Sequence, residues 1–234
     1  MKTATLPSDQ HIGNLLIGGV VLIMLPYTTL TMVFDYPDIL RQDPGIVLTR
    51  FHEGGSTLVG LWWLFAISGL PLLRAYVLIG QRLEGLDSAI RWATALGIIS
   101  AVVQIVGLLR WPFVVPVLAA QYVNATDPAT RQVVAIVFSA VHQYGGVVLG
   151  EHMGQLLTII YTVLLSRALE RLGLFPHWVS YLGYGASGIY LLAQAELFAT
   201  VIPGFPNWEL AGLLGSTLWL VWLLVVGIQF RRMD

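Results

Sequence analysis

Six stretches of the chain contain no Asp, Glu, Lys or Arg: 10 to 34, 54 to 73, 92 to 109, 132 to 150, 172 to 195 and 210 to 230. A helix needs about 20 mostly apolar residues to cross the hydrocarbon core of a bilayer, and each run approaches or exceeds that length. Charge, Pro or Gly bounds five spans directly, at about 13–34, 55–78, 90–109, 178–199 and 209–230. The region 111 to 172 admits two readings. It holds either one span at about 147–170 preceded by an outlying helix, or two short spans at about 129–148 and 152–170.

Charge does not separate these readings. With six spans and the N-terminus inside, Lys2, Arg74, Arg82, Arg91, Arg167, Arg171, Arg231 and Arg232 face the cytoplasm. Arg41, Arg50, Arg110 and Arg131 face outward, the expected positive-inside bias. Seven spans with the N-terminus outside also put eight of these residues inside and four outside, though not the same ones. Local chemistry favours six. A seventh span would leave only Leu149-Gly150-Glu151-His152 as a turn. The stretch from Asp127-Pro128 through Arg131, Gln132, Ser139, His142 and Gln143 reads instead as an N-capped helix with a partly polar face, suited to an interface and ended by Gly145-Gly146. The predicted fold is thus an all-α polytopic bundle of six transmembrane helices in one integral membrane domain, 1–234, with an outer interfacial helix at about 128–145. Seven spans are the alternative.

Composition narrows the function. Of 234 residues, 56% are hydrophobic, and 12 Lys+Arg with 13 Asp+Glu make up only 11%, against about 25% in soluble domains. Mean hydropathy is +0.76. A soluble monomer is excluded, and the lipid bilayer is the first partner. There are no cysteines, hence no disulfide, thiolate metal site or Cys nucleophile. A net charge of −1 with no Lys after Lys2 offers no basic patch for nucleic acid. The N-terminal segment lacks a small-residue cleavage site and is read as a retained first span. Trp111, Trp178 and Trp208 fall at span edges as belt residues, whereas Trp62, Trp63, Trp219 and Trp222 read as bulk within spans. The Gly183–Gly188 stretch reads as a helix-packing surface. Both termini are expected in the cytoplasm, in a bacterial inner membrane.

The informative residues are the ionisable ones that a bilayer makes costly. In the six-span arrangement the outer helix ends carry Arg50, His52, Glu53, Arg110, His142, Glu151, His152, Glu196 and Glu209, which predicts an outward-facing polar site. His52, Glu53, His142, Glu151 and His152 form a candidate set for a divalent metal ion, since imidazoles and carboxylates without thiolates suit such ions. Neighbours on a helix point about 100° apart, and no HExxH or ExxH spacing is present. His52, His142 and His152 are also the candidates for axial haem b ligation. Arg50, Glu53, Arg110, His142, Tyr144 and Glu196 form the candidate pocket for a small amphipathic ligand, in which Arg50 or Arg110 orients an anionic group. The bland alternative is a polar rim, in which Glu53, Glu151 and Glu209 simply occupy N-terminal helix positions favoured by the helix dipole. No GxSxG marks a hydrolase.

The residues from His142, Tyr144 and Gly145 through Gly150-Glu151 to Gly173, Phe175, Pro176 and Trp178, with Arg50 and Glu53 before them and Arg231-Arg232 at the end, resemble a bacterial family of six-span membrane proteins known only as a domain of unknown function (DUF4386-like). The shared elements are a His-x-Tyr-Gly segment, a nearby Glu and a Gly-x-Phe/Leu-Pro segment before the next span. The resemblance implies the six-helix architecture and a role for Glu53, His142, Tyr144, Gly145 and Glu151. It implies no reaction, and His52 and His152 lie outside its pattern. Three roles follow as expectations: an outward His/Glu pocket for a metal ion or small amphiphile, an accessory subunit of a homo-oligomer or larger membrane complex, or a metal- or haem-dependent membrane oxidoreductase.

Overall fold

The computed structural model describes residues 8–233, so the charge contribution of Lys2 lies outside the described residues. Among them every element is helical: α1 (Asp9–Phe34), α2 (Pro44–Ile67), α3 (Leu70–Leu83), α4 (Ala89–Phe113), α5 (Val115–Asn124), α6 (Pro128–Val141), α7 (Gly154–Arg171), α8 (His177–Leu192), α9 (Gln194–Ala199) and α10 (Leu210–Arg231). A 3-10 turn, Asp38–Arg41, follows α1, and a π-helix, His142–Met153, joins α6 to α7.

Helix starts follow local chemistry. The Asp43 carboxylate accepts the Gly45 N–H at 2.8 Å ahead of Pro44. Asp127 accepts the Thr130 N–H at 2.8 Å and its hydroxyl at 2.7 Å ahead of Pro128. In each case the acid satisfies an orphan N–H and proline sits where no N–H is needed. Those Thr130 hydrogen bonds hold the Asp127 carboxyl below its usual range.

Five stretches among the described residues are long and apolar enough to cross a membrane: Asp9–Phe34, Pro44–Leu83, Ala89–Asn124, Pro128–Arg171 and Leu210–Arg231. The chain is therefore a multi-pass membrane protein. The three interior stretches have 40, 36 and 44 residues. Each is well above the about 20 residues that cross the hydrocarbon core. The helix beginning at Pro128 does not end at Gly145-Gly146; it passes through the π-helix into α7. Glycine did not break it because the backbone there loosens to wider turns and keeps hydrogen bonding. In turn, the stretch 178–199 is divided at Ala193 into α8 and α9.

Two compact units are distinguishable. One comprises the chain up to Val21, Leu70–Val102 and the chain from His152 onward; the other comprises Leu22–Gly69 and Val103–Glu151. In the first, α8 packs on α10 and α7. Its close approaches use glycine: a Cβ on Gly215 would lie 2.5 Å from the Tyr190 Cα, and one on Gly183 would run into the Ser166 hydroxyl and lie 2.7 Å from Trp222 Nε1. Small residues admit such contacts, on which helix association in lipid depends. Only part of the 183–188 stretch packs this way, since Gly185 and Gly188 face open space.

In the second unit, α2 packs on α5, and α5 on α6. Its core gathers Phe34, Phe51, Trp62, Phe65, Trp111 and Phe138 with aliphatic neighbours. Trp111, read above as a belt residue, is 0% exposed, whereas Trp63, Trp178 and Trp208 are exposed. α2 kinks at Gly55, whose φ of 55° and ψ of −149° only glycine adopts readily.

A Gly215→Ala substitution should drive a methyl into the α8 backbone, costing about 1–3 kcal/mol and lowering Tm in detergent by about 2–10 °C. Gly188→Ala, with room for its methyl, should leave Tm unchanged or raise it through helix propensity. Equal losses in the two variants would contradict this packing.

Candidate functional site

The π-helix carries four of the residues singled out by sequence, His142, Tyr144, Glu151 and His152. Such wide turns are uncommon and concentrate at functional sites. The π-helix packs closely on α4. A Cβ on Gly107 of α4 would meet the Gly145 carbonyl at 2.7 Å and the Gly150 Cα at 2.9 Å. Here two backbones touch, and the glycines at 107, 145 and 150 permit it.

One turn further along α4, the Arg110 guanidinium lies on the glycine pair. A Cβ on Gly146 would stand 2.5 Å from Nη2 and 2.9 Å from Cζ, and one on Gly145 would stand 3.3 Å from Cδ. Arg110 is 8% exposed, Nη1 donates to the Gly107 carbonyl at 2.5 Å, and Cζ lies 5.2 Å from the Trp111 ring centroid. No described carboxylate pairs with it directly. Glu151 acts on it at longer range, with its carboxylate engaged by Arg41 at 2.6 Å.

Further aromatic rings pack on Trp111, the ring beside this cation. Trp62 and Trp111 stack at 4.5 Å and 11°, Phe51 stacks on Trp111 at 5.7 Å, and Phe34 presents its edge to all three. His142, 9% exposed, stacks on Phe138 at 5.4 Å and meets Trp111 edge-on at 6.0 Å. The Leu40 backbone is the polar group facing His142, yet neither ring nitrogen makes a well-formed hydrogen bond. The Arg110 Nε and the indole nitrogens of Trp62 and Trp111 also lack partners. A buried donor left unsatisfied costs about 1–3 kcal/mol, so their concentration in one place is a substantial local cost.

A second feature of the same unit is a groove of about 490 Å³ lined by the end of α1 and the middle of α2. Thr29, Met32, Val33 and Asp35 face Arg50, Glu53, Thr57, Leu58 and Leu61 across it. Asp35 ends α1 with φ of 52° and forms an ion pair with Arg50. Glu53 is exposed and has no ion-pair partner among the described residues. The groove therefore joins an ion pair and an unpaired carboxylate to an apolar wall.

Not all predicted site residues come together. Arg50 and Glu53 share the groove, while Arg110 and His142 share the aromatic cluster. His52 and Tyr144 are exposed, Tyr144 at 66%. Glu196 lies half-buried on α9 with its carboxylate toward Gly212 of α10. His152 hydrogen-bonds Gln194 through Nδ1 at 2.8 Å, and Gln194 donates to Gln155 at 2.8 Å. Among the described residues no three His, Cys, Asp or Glu side chains group closely enough to hold a metal ion. His142 meets phenylalanine and tryptophan, not a second imidazole, so the axial haem arrangement is not assembled around it. Glu53 and Glu151 lie inside helical stretches, and only Glu209 directly precedes a helix.

Sequence reasoning passed over the polar interior of the first unit. There the Ser100 hydroxyl donates to the Gly154 carbonyl at 2.7 Å and lies 2.7 Å from the Thr158 hydroxyl, and Gln194 is 6% exposed. Gln194 was the available signal, an amide near the end of a charge-free run. Asp35 was also visible as the first charge after span one, but its position opposite Arg50 is set by the chain reversal.

The sequence model of a family described as a domain of unknown function (DUF4386) matches residues 11–227. No curated protein matches the chain, and no solved structure matches it.

The contact of Arg110 with the glycine pair has a direct test. The buried guanidinium cannot swing aside into solvent, so Gly146→Ala should destabilise by about 1–3 kcal/mol and shift tryptophan emission from the stacked pair. Gly107→Ala meets backbone and should cost at least as much. Gly60→Ala, with nothing near its Cβ, should be neutral. Tm and emission spectra in detergent read all three, and an unperturbed Gly146→Ala would refute the seat.

Proposed function

The chain belongs to the DUF4386 family, whose description names no reaction, and we propose that this integral membrane protein binds an amphiphile with a protonated amine in its head group, in the groove of Asp35, Arg50 and Glu53. One observation carries the reading: a cavity of about 490 Å³ joins an unpaired carboxylate to the side chains of Met32, Val33, Leu58 and Leu61. That volume lies in the usual range for small-ligand sites. Arg50 and Asp35 offset one another, leaving one net negative charge on Glu53 to receive an ammonium through charge-assisted hydrogen bonds. Thr29 and Thr57 add hydroxyls at the rim. The apolar wall takes the chain of the amphiphile.

The accompanying topology is six crossings, with α8 and α9 together as the fifth and α10 as the sixth. Both termini are cytoplasmic in a bacterial inner membrane, and the groove and the start of α6 face outward. The arginine distribution supports this orientation.

Ligand binding is measured with a dansyl-labelled long-chain alkylamine titrated onto protein in phosphatidylcholine nanodiscs. Saturable binding is expected, weakened about tenfold or more in Glu53→Gln, the worth of a charge-assisted hydrogen bond. The corresponding alkyl sulfonate should bind weakly to both forms. Identical titrations for wild type and Glu53→Gln would overturn the reading. Orientation is measured in the cysteine-free chain with single reporters. On intact cells a membrane-impermeant maleimide should label Ser139→Cys on α6 and leave Met233→Cys unlabelled; the reverse pattern would invert the topology.

A further inference from the structure

Five nitrogen atoms buried from solvent and without a well-formed hydrogen bond belong to four side chains that meet at Trp111: Nε of Arg110, Nε1 of Trp111, Nε1 of Trp62, and Nδ1 and Nε2 of His142, whose ring faces the Leu40 backbone. Ring stacking joins Trp62 to Trp111 at 4.5 Å, Arg110 Cζ lies 5.2 Å from the Trp111 centroid, and His142 lies 6.0 Å from it. Arginine and tryptophan only donate, and histidine supplies at least one donor in either protonation state. The cluster is thus rich in donors and poor in acceptors. Its charge has the same bias. Arg110 is acted on by Glu151, Tyr36 and a second cation, Arg41, and Arg41 already engages the Glu151 carboxylate.

We infer that this cluster is a binding site for a small monovalent inorganic anion, with the Arg110 guanidinium as its principal partner and the indole and imidazole N–H groups as further donors. An anion supplies the missing acceptor to several donors at once and balances the buried guanidinium that Glu151 leaves unpaired. The surrounding rings of Phe34, Phe51 and Phe138 offer no water to a bound ion. Weakly hydrated anions lose least on entry, so bromide should bind more tightly than chloride. This site shares no residue with the Asp35–Arg50–Glu53 groove and stands or falls apart from it.

The test uses the full chain in detergent, titrating sodium bromide or sodium chloride against gluconate at constant ionic strength and reading Tm. Wild type should show a saturable rise, reached at lower concentration with bromide. Arg110→Gln should weaken the apparent affinity about tenfold or more, and Trp62→Phe, which keeps the ring and removes one donor, about threefold, as expected for a charged and a neutral hydrogen bond. Should Arg110→Gln fail to fold, Trp62→Phe carries the same comparison. Glu53→Gln, in the groove, should respond as wild type does. A flat response in wild type, the outcome if water alone satisfies these donors, would overturn the inference. An unchanged response in Trp62→Phe and Arg110→Gln would overturn it equally.

Discussion

The guanidinium of Arg110 is the constraint around which the second unit is arranged. A buried cation without a directly paired carboxylate is costly, and the chain surrounds this one with compensations. Gly145 and Gly146 remove the side chains that would occupy its place, the Gly107 carbonyl accepts from it, and Trp111 lies alongside it. A cation near an aromatic ring gains about 0.5–2 kcal/mol depending on desolvation. That contribution helps to explain why two tryptophans, so often interfacial in membrane proteins, stack here in full burial. The π-helix belongs to the same arrangement, since its loosened turns place Gly145 and Gly150 against Gly107.

Long helices create the need for such local devices. A membrane core accommodates about 20 residues of helix, while three stretches of this chain run to 36 residues or more. Two of these stretches are two helices joined across a short break, α2 with α3 and α4 with α5. In Leu22–Gly69 and Val103–Glu151 an aromatic core packs the helices together. Edge-to-face and offset ring pairs contribute about 0.5–1.5 kcal/mol each beyond buried area, and Phe34, Phe51, Trp62 and Trp111 form several of them at once. The Gly55 kink belongs to the same unit, lying beside Glu53 and Gly54 of the groove.

Polar chemistry is divided between the units. The first holds His152, Gln194 and Gln155 in one chain of hydrogen bonds and Ser100, Thr158 and the Gly154 carbonyl in another, and it also buries the Tyr161, Ser166 and Ser187 hydroxyls and the Trp219 and Trp222 indole nitrogens without side-chain partners. Asp9 and Arg82 form a two-pronged ion pair at 2.9 and 3.1 Å. These groups hold helices in register. The second unit retains unused capacity, in the unpaired Glu53 carboxylate and in the donors around Arg110.

The sequence alone determined the environment and the class of fold. Charge-free runs near bilayer length admit no soluble structure, and in lipid each backbone N–H must be satisfied within its own helix. Asp127 before Pro128 was legible as a helix start because capping depends on neighbours in the chain. The family was legible in His142, Tyr144, Gly145 and Glu151. Tertiary structure decided which outlying residues meet. Side-chain direction around a helix depends on its packing partner, so the five proposed metal ligands separated into a groove carboxylate, a ring-stacked imidazole, an arginine-paired Glu151, a glutamine-bonded His152 and an exposed His52. It also decided the fate of Gly145-Gly146. In sequence a glycine pair reads as a break, but against Gly107 and Arg110 it is the surface that lets a helix and a buried cation approach.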